Sequence, residues 1–163
     1  MPAPLSIQVD TREKPKEYAR IGKQFDQLGV KHFRSKLYVG DYQSLDNGRL
    51  AIDRKKGLLE LASNVCQQHD RFRAELIRAQ DVGIRLIILV EFKWNAPRCL
   101  EDVRRWDNPR LRTSPKAITG ERLYKVLATL RNRYDVGFAF CLESKTGQTI
   151  VDILQRGGSD DKR

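Results

Sequence analysis

The sequence predicts one three-layer α/β domain, a central mixed sheet flanked by helices, and three observations carry that prediction. Stretches that alternate apolar and polar residues with a period of two take turns along the chain with stretches whose apolar residues recur every three or four positions. Residues 84–92 are almost continuously aliphatic, the pattern of a strand buried on both faces. The 163 residues, 40% of them hydrophobic, suffice for one core and are few for two. The domain is expected over residues 1–156, with 157–163 as a flexible C-terminal tail.

Each element has its own local signal. Leu5 to Asp10 alternates apolar and polar residues and predicts a first strand ending in a carboxylate. Between Pro15 and Leu28, the residues Tyr18, Ile21, Phe25 and Leu28 form the stripe of an amphipathic helix that Gly29 closes. Residues 30–42 read as a strand and 49–54 as its partner, joined at Asp46-Asn47-Gly48, because Asn-Gly between strand-like runs is a strong hairpin signal. Beyond Gly57, Leu58, Leu61, Ala62 and Val65 fit a helix, and Phe72, Leu76 and Ala79 fit a second over 70–79 that Gly83 ends. After the buried strand, Ser114-Pro115 starts a helix whose stripe is Leu123, Val126 or Leu127, Leu130 and Tyr134. Residues 136–142 read as a strand and 150–154 as part of a terminal helix.

Charge narrows the function. Thirty-one Lys and Arg against 21 Asp and Glu leave a net +10, a surface that attracts polyanions, nucleic acid first and anionic membrane second. Ten Lys or Arg face four Asp or Glu between Arg98 and Arg133. Two histidines, His32 and His69, and three dispersed cysteines, Cys66, Cys99 and Cys141, allow no zinc site of ordinary spacing. The scattered thiols, and an N-terminus without an apolar leader, predict an intracellular protein whose cysteines are core residues. The longest apolar run, residues 86–90, is far short of the roughly 18 residues a membrane span needs. His32 and His69 read as surface or satisfied residues, and Trp94 and Trp106 as packing residues.

Carboxylates are the candidates for chemistry. Asp10, Glu13, Asp41 and Asp53 stand at strand ends or within strands, where a solvated charge has no structural reason to be. In Asp53-Arg54-Lys55 the alternation of a strand puts Asp53 and Lys55 on one face and Arg54 on the other. A hairpin turning at Asn47-Gly48 brings Asp41 close to opposite Asp53, and two carboxylates so placed repel unless a cation sits between them. Mg²⁺ or Mn²⁺ meets that need with oxygen ligands and retained waters. Such an ion acidifies water and neutralises charge on a phosphate, Lys55 would orient or deprotonate the attacking water, and arginines would hold a phosphodiester backbone. The plainer reading stands beside it: Asp41 caps a turn after Gly40, Asp10 caps the segment after its strand, and Asp-Arg-Lys is a solvated run.

Three ordered blocks add a more specific signal. Val9-Asp10-Thr11-Arg12-Glu13, Val39-Gly40-Asp41-Tyr42 and Ile52-Asp53-Arg54-Lys55 resemble the V-D-x-R-E, G-D-Y and E-R-K blocks of the XPF-type structure-specific endonucleases. The resemblance continues through Arg71 to Leu76, Val90-Glu91-Phe92 and Arg133-Tyr134, and looks most like the small stand-alone nuclease domains of phages and prophages. It implies a restriction-endonuclease-like fold and Mg²⁺- or Mn²⁺-dependent cleavage of branched DNA such as flaps, forks or junctions, in repair, recombination or phage DNA processing. By position it makes Asp41 and Asp53 metal ligands with the main-chain carbonyl of Arg54, sets Asp10 on or beside the metal, and makes Lys55 the catalytic lysine. Glu13 completes the catalytic set, and Arg12, Arg54, Lys56 and Arg71 serve as DNA-binding residues.

Two departures accompany the match. Asp53 replaces the glutamate of the E-R-K block, one methylene shorter, and Leu59 stands where the family has an acid four residues after the lysine, with Glu60 next to it. The paired helix-hairpin-helix module of larger relatives is absent, so DNA grip is expected from this domain's own basic surface, from a homodimer formed through the later helices, or from a protein partner. The alternative expectation is a catalytically weak or inactive DNA-binding accessory module, which the two departures favour. A third is a basic face that meets an acidic protein.

Overall fold

The computed structural model describes residues 4–157. Six strands form one mixed sheet: β1 (Ser6–Val9), β2 (Lys31–Arg34), β3 (Tyr42–Ser44), β4 (Asn47–Lys55), β5 (Arg85–Phe92) and β6 (Gly137–Leu142), in the order β2-β1-β3-β4-β5-β6. The pairs β1/β2, β4/β5 and β5/β6 are parallel, while β3 runs antiparallel to both β1 and β4. Five helices accompany them: α1 (Pro15–Gln27), α2 (Leu58–Cys66), α3 (His69–Asp81), α4 (Gly120–Tyr134) and α5 (Thr146–Arg156).

The sheet separates two apolar layers. Leu86, Ile88 and Val90 of β5 join α2, α3 and α4 in one cluster, while Ile87 and Leu89 join α1 and α5 in the other. This is the three-layer architecture expected from the alternation, and β5 is the doubly buried strand. On β4, Ala51 faces the α2/α3/α4 layer, whereas Leu50 and Ile52 face the α1/α5 layer. Asp53 and Lys55 therefore continue the first face and Arg54 the second.

Three expectations need correction. Residues 30–42 are two strands, β2 and β3, on opposite sides of β1, and the segment between them crosses the end of β1. Extended periodicity does not say which neighbour a strand takes, and Gly40, at φ +78°, interrupts the run. The hairpin is β3/β4, not 30–42 with 49–54, and its turn lies at Leu45-Asp46, since Ser44 already pairs with Asn47. There the Ser44 hydroxyl accepts from Asp46 N (3.2 Å) and Asn47 Oδ1 from Arg49 N (3.0 Å), so the asparagine stabilises the strand entry and not the turn. A register shift then brings Tyr42 opposite Ile52, which restores the juxtaposition of Asp41 and Asp53 expected from their spacing.

Helix α4 starts at Gly120 behind the Thr119 cap and not at Ser114-Pro115. A Cβ at Gly120 would lie 2.6 Å from the Trp106 carbonyl and 2.7 Å from that of Val103, so the helix begins where glycine lets it rest on the 3-10 turn Leu100–Arg105. Trp106 packs against the core, but Trp94, expected to pack, is 72% exposed. His32 is satisfied as expected, between Tyr18 Oη (2.7 Å) and Asp26 Oδ1 (2.7 Å). Cys141 is buried, Cys99 intermediate and Cys66 exposed, so the expectation of three core thiols holds for one. Residues 158–163 of the expected tail lie outside the described residues. Among those described, no helix is long and apolar enough to cross a membrane.

Candidate active site

Three neighbouring strands assemble the site through their backbones. Asp10 N donates to Asp41 O (2.8 Å), and Asp41 N donates to Ile52 O (2.7 Å), so Asp10, Asp41 and Asp53 stand side by side at the ends of β1, β3 and β4. Gly40 permits this closeness. A Cβ there would lie 3.0 Å from Ile52 O and 3.1 Å from the Ala51 Cβ, in a backbone conformation that L-residues avoid.

Each carboxylate has a different environment. Asp10, almost wholly buried, accepts from Leu37 N (2.9 Å) with Oδ1 and from Arg12 Nε (2.6 Å) with Oδ2. Both its oxygens are thus engaged in tying down the segment that delivers Asp41. Asp41 Oδ2 accepts from Arg54 N (2.8 Å), yet burial, followed by the charges of Asp53 and Glu13, holds this carboxyl well above the usual carboxylate range. Asp53 is 6% exposed, and its Oδ2 is buried without a hydrogen bond. The Lys55 ammonium stands 3.1 Å from that oxygen as an ion pair but lacks hydrogen-bond direction. Burial pulls Lys55 toward neutrality, and Asp53, with Glu60 and Glu75 beyond, outweighs it and keeps the amine protonated. The ammonium also lies 5.6 Å from the centre of the Phe72 ring.

Two clefts meet at the Asp41/Asp53 pair. One, of about 170 Å³, is walled by Arg12, Gly40, Glu75 and Arg78. The other, of about 310 Å³, is walled by Lys14, Lys16, Lys55 and Lys56. Arg12, Asp41 and Asp53 belong to both, so the carboxylate pair lies on the ridge between two partly cationic walls.

The opposite face of β4 is filled by an ion-pair network, at whose edge Glu13, Glu17 and Arg54 border the second cleft. Arg54 donates from Nε to Glu13 Oε2 (2.9 Å), from Nη2 to Glu13 Oε1 (2.9 Å) and from Nη1 to Glu91 Oε1 (2.6 Å), and Glu17 Oε2 is 3.1 Å from Nη1. Tyr42 donates its hydroxyl to Glu13 Oε2 (2.7 Å), and Arg20 reaches Glu91 (2.6 Å) and Glu17 (3.2 Å). This corrects the expectation that Arg54 binds DNA, because its guanidinium is saturated inside the fold. Glu13 likewise engages both oxygens with Arg54 and Tyr42.

Of the remaining expected residues, Arg12 is 60% exposed at its side chain and Lys56 is exposed at the second cleft. Arg71 is exposed on α3 but lines neither cleft. Two residues on its helix face, Glu75 and Arg78, do, and sequence reasoning missed them; their spacing of four and seven from Arg71 is the signal that places them there. Glu75 Oε1 accepts a long bond from Gly40 N (3.4 Å), and its carboxyl is raised by burial and by Asp53. Leu59 is 43% exposed, and Glu60, which lines the second cleft, accepts from Lys56 N (2.8 Å) with Oε2 at the start of α2.

Among the described residues, no three carboxylate, imidazole or thiol groups converge as a ready-made metal cluster. Two facing carboxylates with one orphaned buried oxygen still fit a hard divalent cation, which commonly takes one or two carboxylates and fills its shell with water and phosphate.

No match was found among curated proteins. Among solved structures, the chain is similar to XPF from Aeropyrum pernix, with a TM-score of 0.61 and 20% identity over 97% of this chain and 64% of that one. It is also similar to XPF from Aeropyrum pernix in complex with DNA, with a TM-score of 0.65 and 21% identity over 94% and 64% of the two chains. The chain thus spans less than two thirds of the length of these proteins, and at such identity the likeness shows the fold. Residues 9–152 match the ERCC4 domain, a match that begins just before Asp10 and runs into α5. Covering nearly the whole sheet and every carboxylate of the site, it shows that the chain belongs to the ERCC4 domain family of XPF-type nuclease domains.

Proposed function

We propose that this chain is a Mg²⁺- or Mn²⁺-dependent endonuclease that hydrolyses phosphodiester bonds in branched or single-strand-containing DNA, such as flaps, forks and junctions. The observation that carries the reading is the Asp41/Asp53 pair, one oxygen of it buried with only the Lys55 ammonium beside it, between two clefts whose walls mix acids with Lys and Arg. The DNA-bound relative and the net charge of +10 support the polymer. Asp41, Asp53 and the main-chain carbonyl of Arg54 hold the cation. When bound, it supplies an acidified water and neutralises charge developing on the phosphate. Lys55 places a positive charge beside Asp53 and orients the attacking water. Arg12, Arg78 and Lys56 steady the phosphates on either side of the scissile bond, with Arg71 two turns before Arg78 on α3. Asp10 fixes the strand junction that sets Asp41 opposite Asp53.

Labelled flap and fork DNA incubated with Mg²⁺ or Mn²⁺ tests this reading. Cleavage is expected for the wild type and loss of at least 100-fold, about 2.7 kcal/mol of barrier, for Asp41→Ala and Asp53→Ala. Equal activity in all three proteins refutes it. A second reading, a DNA-binding accessory module with an unused site, is favoured by the exposed apolar Leu59 at the position of an expected acid. Salt-sensitive binding without cleavage, and without Mn²⁺ uptake by calorimetry, would establish that alternative. Homodimerisation, or a protein partner, is proposed as an added source of grip, and sedimentation with and without DNA tests it.

A further inference from the structure

A cleft larger than either of those at the Asp41/Asp53 pair lies away from the carboxylates. About 870 Å³ in volume, it is bounded by α2, by the segment 108–119 and by the start of α4. Arg110, Lys116 and Arg122 line it, and no Asp or Glu does. Among the described residues, none of these three side chains makes an ion pair or a side-chain hydrogen bond. Nearby cations behave differently: Arg104, Arg105 and Arg131 lie 3.7, 2.7 and 3.5 Å from Glu121, Asp102 and Glu101. Three of the four acids in this basic stretch are thereby engaged with cations outside the cleft. Unopposed positive charge gathered in one concavity raises the local potential and draws an anion with several charges.

The cleft also has a direction. At the start of α2 it neighbours the carboxylate site, since Leu59 lines it and Glu60 lines the second cleft, and it reaches the exposed Cys66 at the far end of α2. Its volume is that of a small-ligand site, too narrow for a duplex. No aromatic residue lines it, so recognition there works through phosphate and sugar and is indifferent to base identity.

We propose that this cleft holds the phosphate backbone of an unpaired DNA strand that leads away from the Asp41/Asp53 centre. The inference rests on the reading of this chain as a DNA-acting protein and adds to it a metal-independent strand site on α2 and α4.

The test uses the full chain in EDTA, a fluorescent thymidine oligonucleotide, and alkylation of Cys66 by iodoacetamide in a Cys99→Ser background. The wild type should bind with a salt-dependent affinity, and the oligonucleotide should slow alkylation of Cys66. The triple variant Arg110→Gln/Lys116→Gln/Arg122→Gln should keep the wild-type Tm. Its log K against log[salt] slope should be flatter by about 2, since each single-strand phosphate contact contributes about 0.7, and Cys66 should no longer be protected. An unchanged slope with Cys66 reactive throughout overturns the cleft assignment while leaving DNA binding intact. Equal protection by a mononucleotide or by poly-glutamate overturns the strand assignment. Failure of the wild type to bind any DNA, single-stranded, duplex or branched, overturns the functional reading itself.

Discussion

Two faces of one strand treat buried charge in opposite ways. Behind β4, Arg54 meets Glu13, Glu17 and Glu91, and Tyr42 and Arg20 complete the network, so every charge has a counter-charge. In front of it, a residue on either side, Asp53 faces Asp41 with an oxygen left unbonded and only Lys55 alongside. A saturated network rigidifies and needs nothing further. An unsaturated one is stable only with an external cation or a shared proton. The back face therefore holds the front face in place, and the front face is where a ligand must act.

The largest expected effect comes from breaking the saturated side. Arg54→Ala leaves three buried carboxylates without their central cation, and removal of one partner of a buried pair typically costs about 3–5 kcal/mol. Urea unfolding measures it. If Arg54→Met, which keeps the volume, is as stable as the wild type, the network is not the scaffold.

A smaller effect, with the opposite sign for the two faces, comes from adding a cation. Mn²⁺ at about 100 times its dissociation constant should stabilise the wild type by about 2.7 kcal/mol. Asp53→Asn should abolish that gain and change metal-free stability little, because it removes the repulsion with Asp41 together with the ion pair to Lys55. Thermal unfolding with and without Mn²⁺ reads both quantities. A large loss of stability in the metal-free variant would show that Asp53 is structural and dissolve the contrast.

Acid separates the faces next. The Glu13 carboxyl is buried, which alone would raise it, but Arg54 and Tyr42 hold it below the ordinary range. Its contribution is complete above the unfolded glutamate pKa and disappears as pH falls through the depressed folded value. Asp41 is raised, so its charge costs stability at neutral pH, and that cost is relieved as pH falls through the raised folded value toward the ordinary aspartate range. Metal-free stability should first rise on acidification and then fall. Asp41→Asn should remove the rise and leave the fall, as urea midpoints measured from neutral pH to below the carboxylate range would show.

Part of this contrast is legible in the sequence. Strand alternation alone puts Asp53 and Lys55 opposite Arg54, and the spacing of Asp41 and Asp53 brings them together although the turn lies elsewhere, because a register shift compensates. What alternation lacks is identity of neighbours. Arg54 reads as a phosphate ligand until Glu17 on α1 and Glu91 on β5 are known to converge on it. Residues 30–42 read as one strand because nothing local reveals that β1 inserts between its halves. Glu75 and Arg78 enter from α3 by tertiary packing, and only their shared helix face with Arg71 hints at them.

Glu75 supplies the subtlest test of where the unsaturated face ends. It lines the same cleft as Asp53, is raised by that neighbour and by burial, and holds only a long bond from the Gly40 amide. Glu75→Gln keeps an oxygen for Gly40 and removes one negative charge, so stability should change by no more than about 0.5 kcal/mol. Its carboxylate adds field to a cation held by the other two without touching it, so Mn²⁺ binding measured by calorimetry should weaken but persist, unlike in Asp53→Asn. If Glu75→Gln loses Mn²⁺ as completely as Asp53→Asn, a third carboxylate belongs to the ligand set, and α3 takes over the role that Leu59 leaves empty on α2.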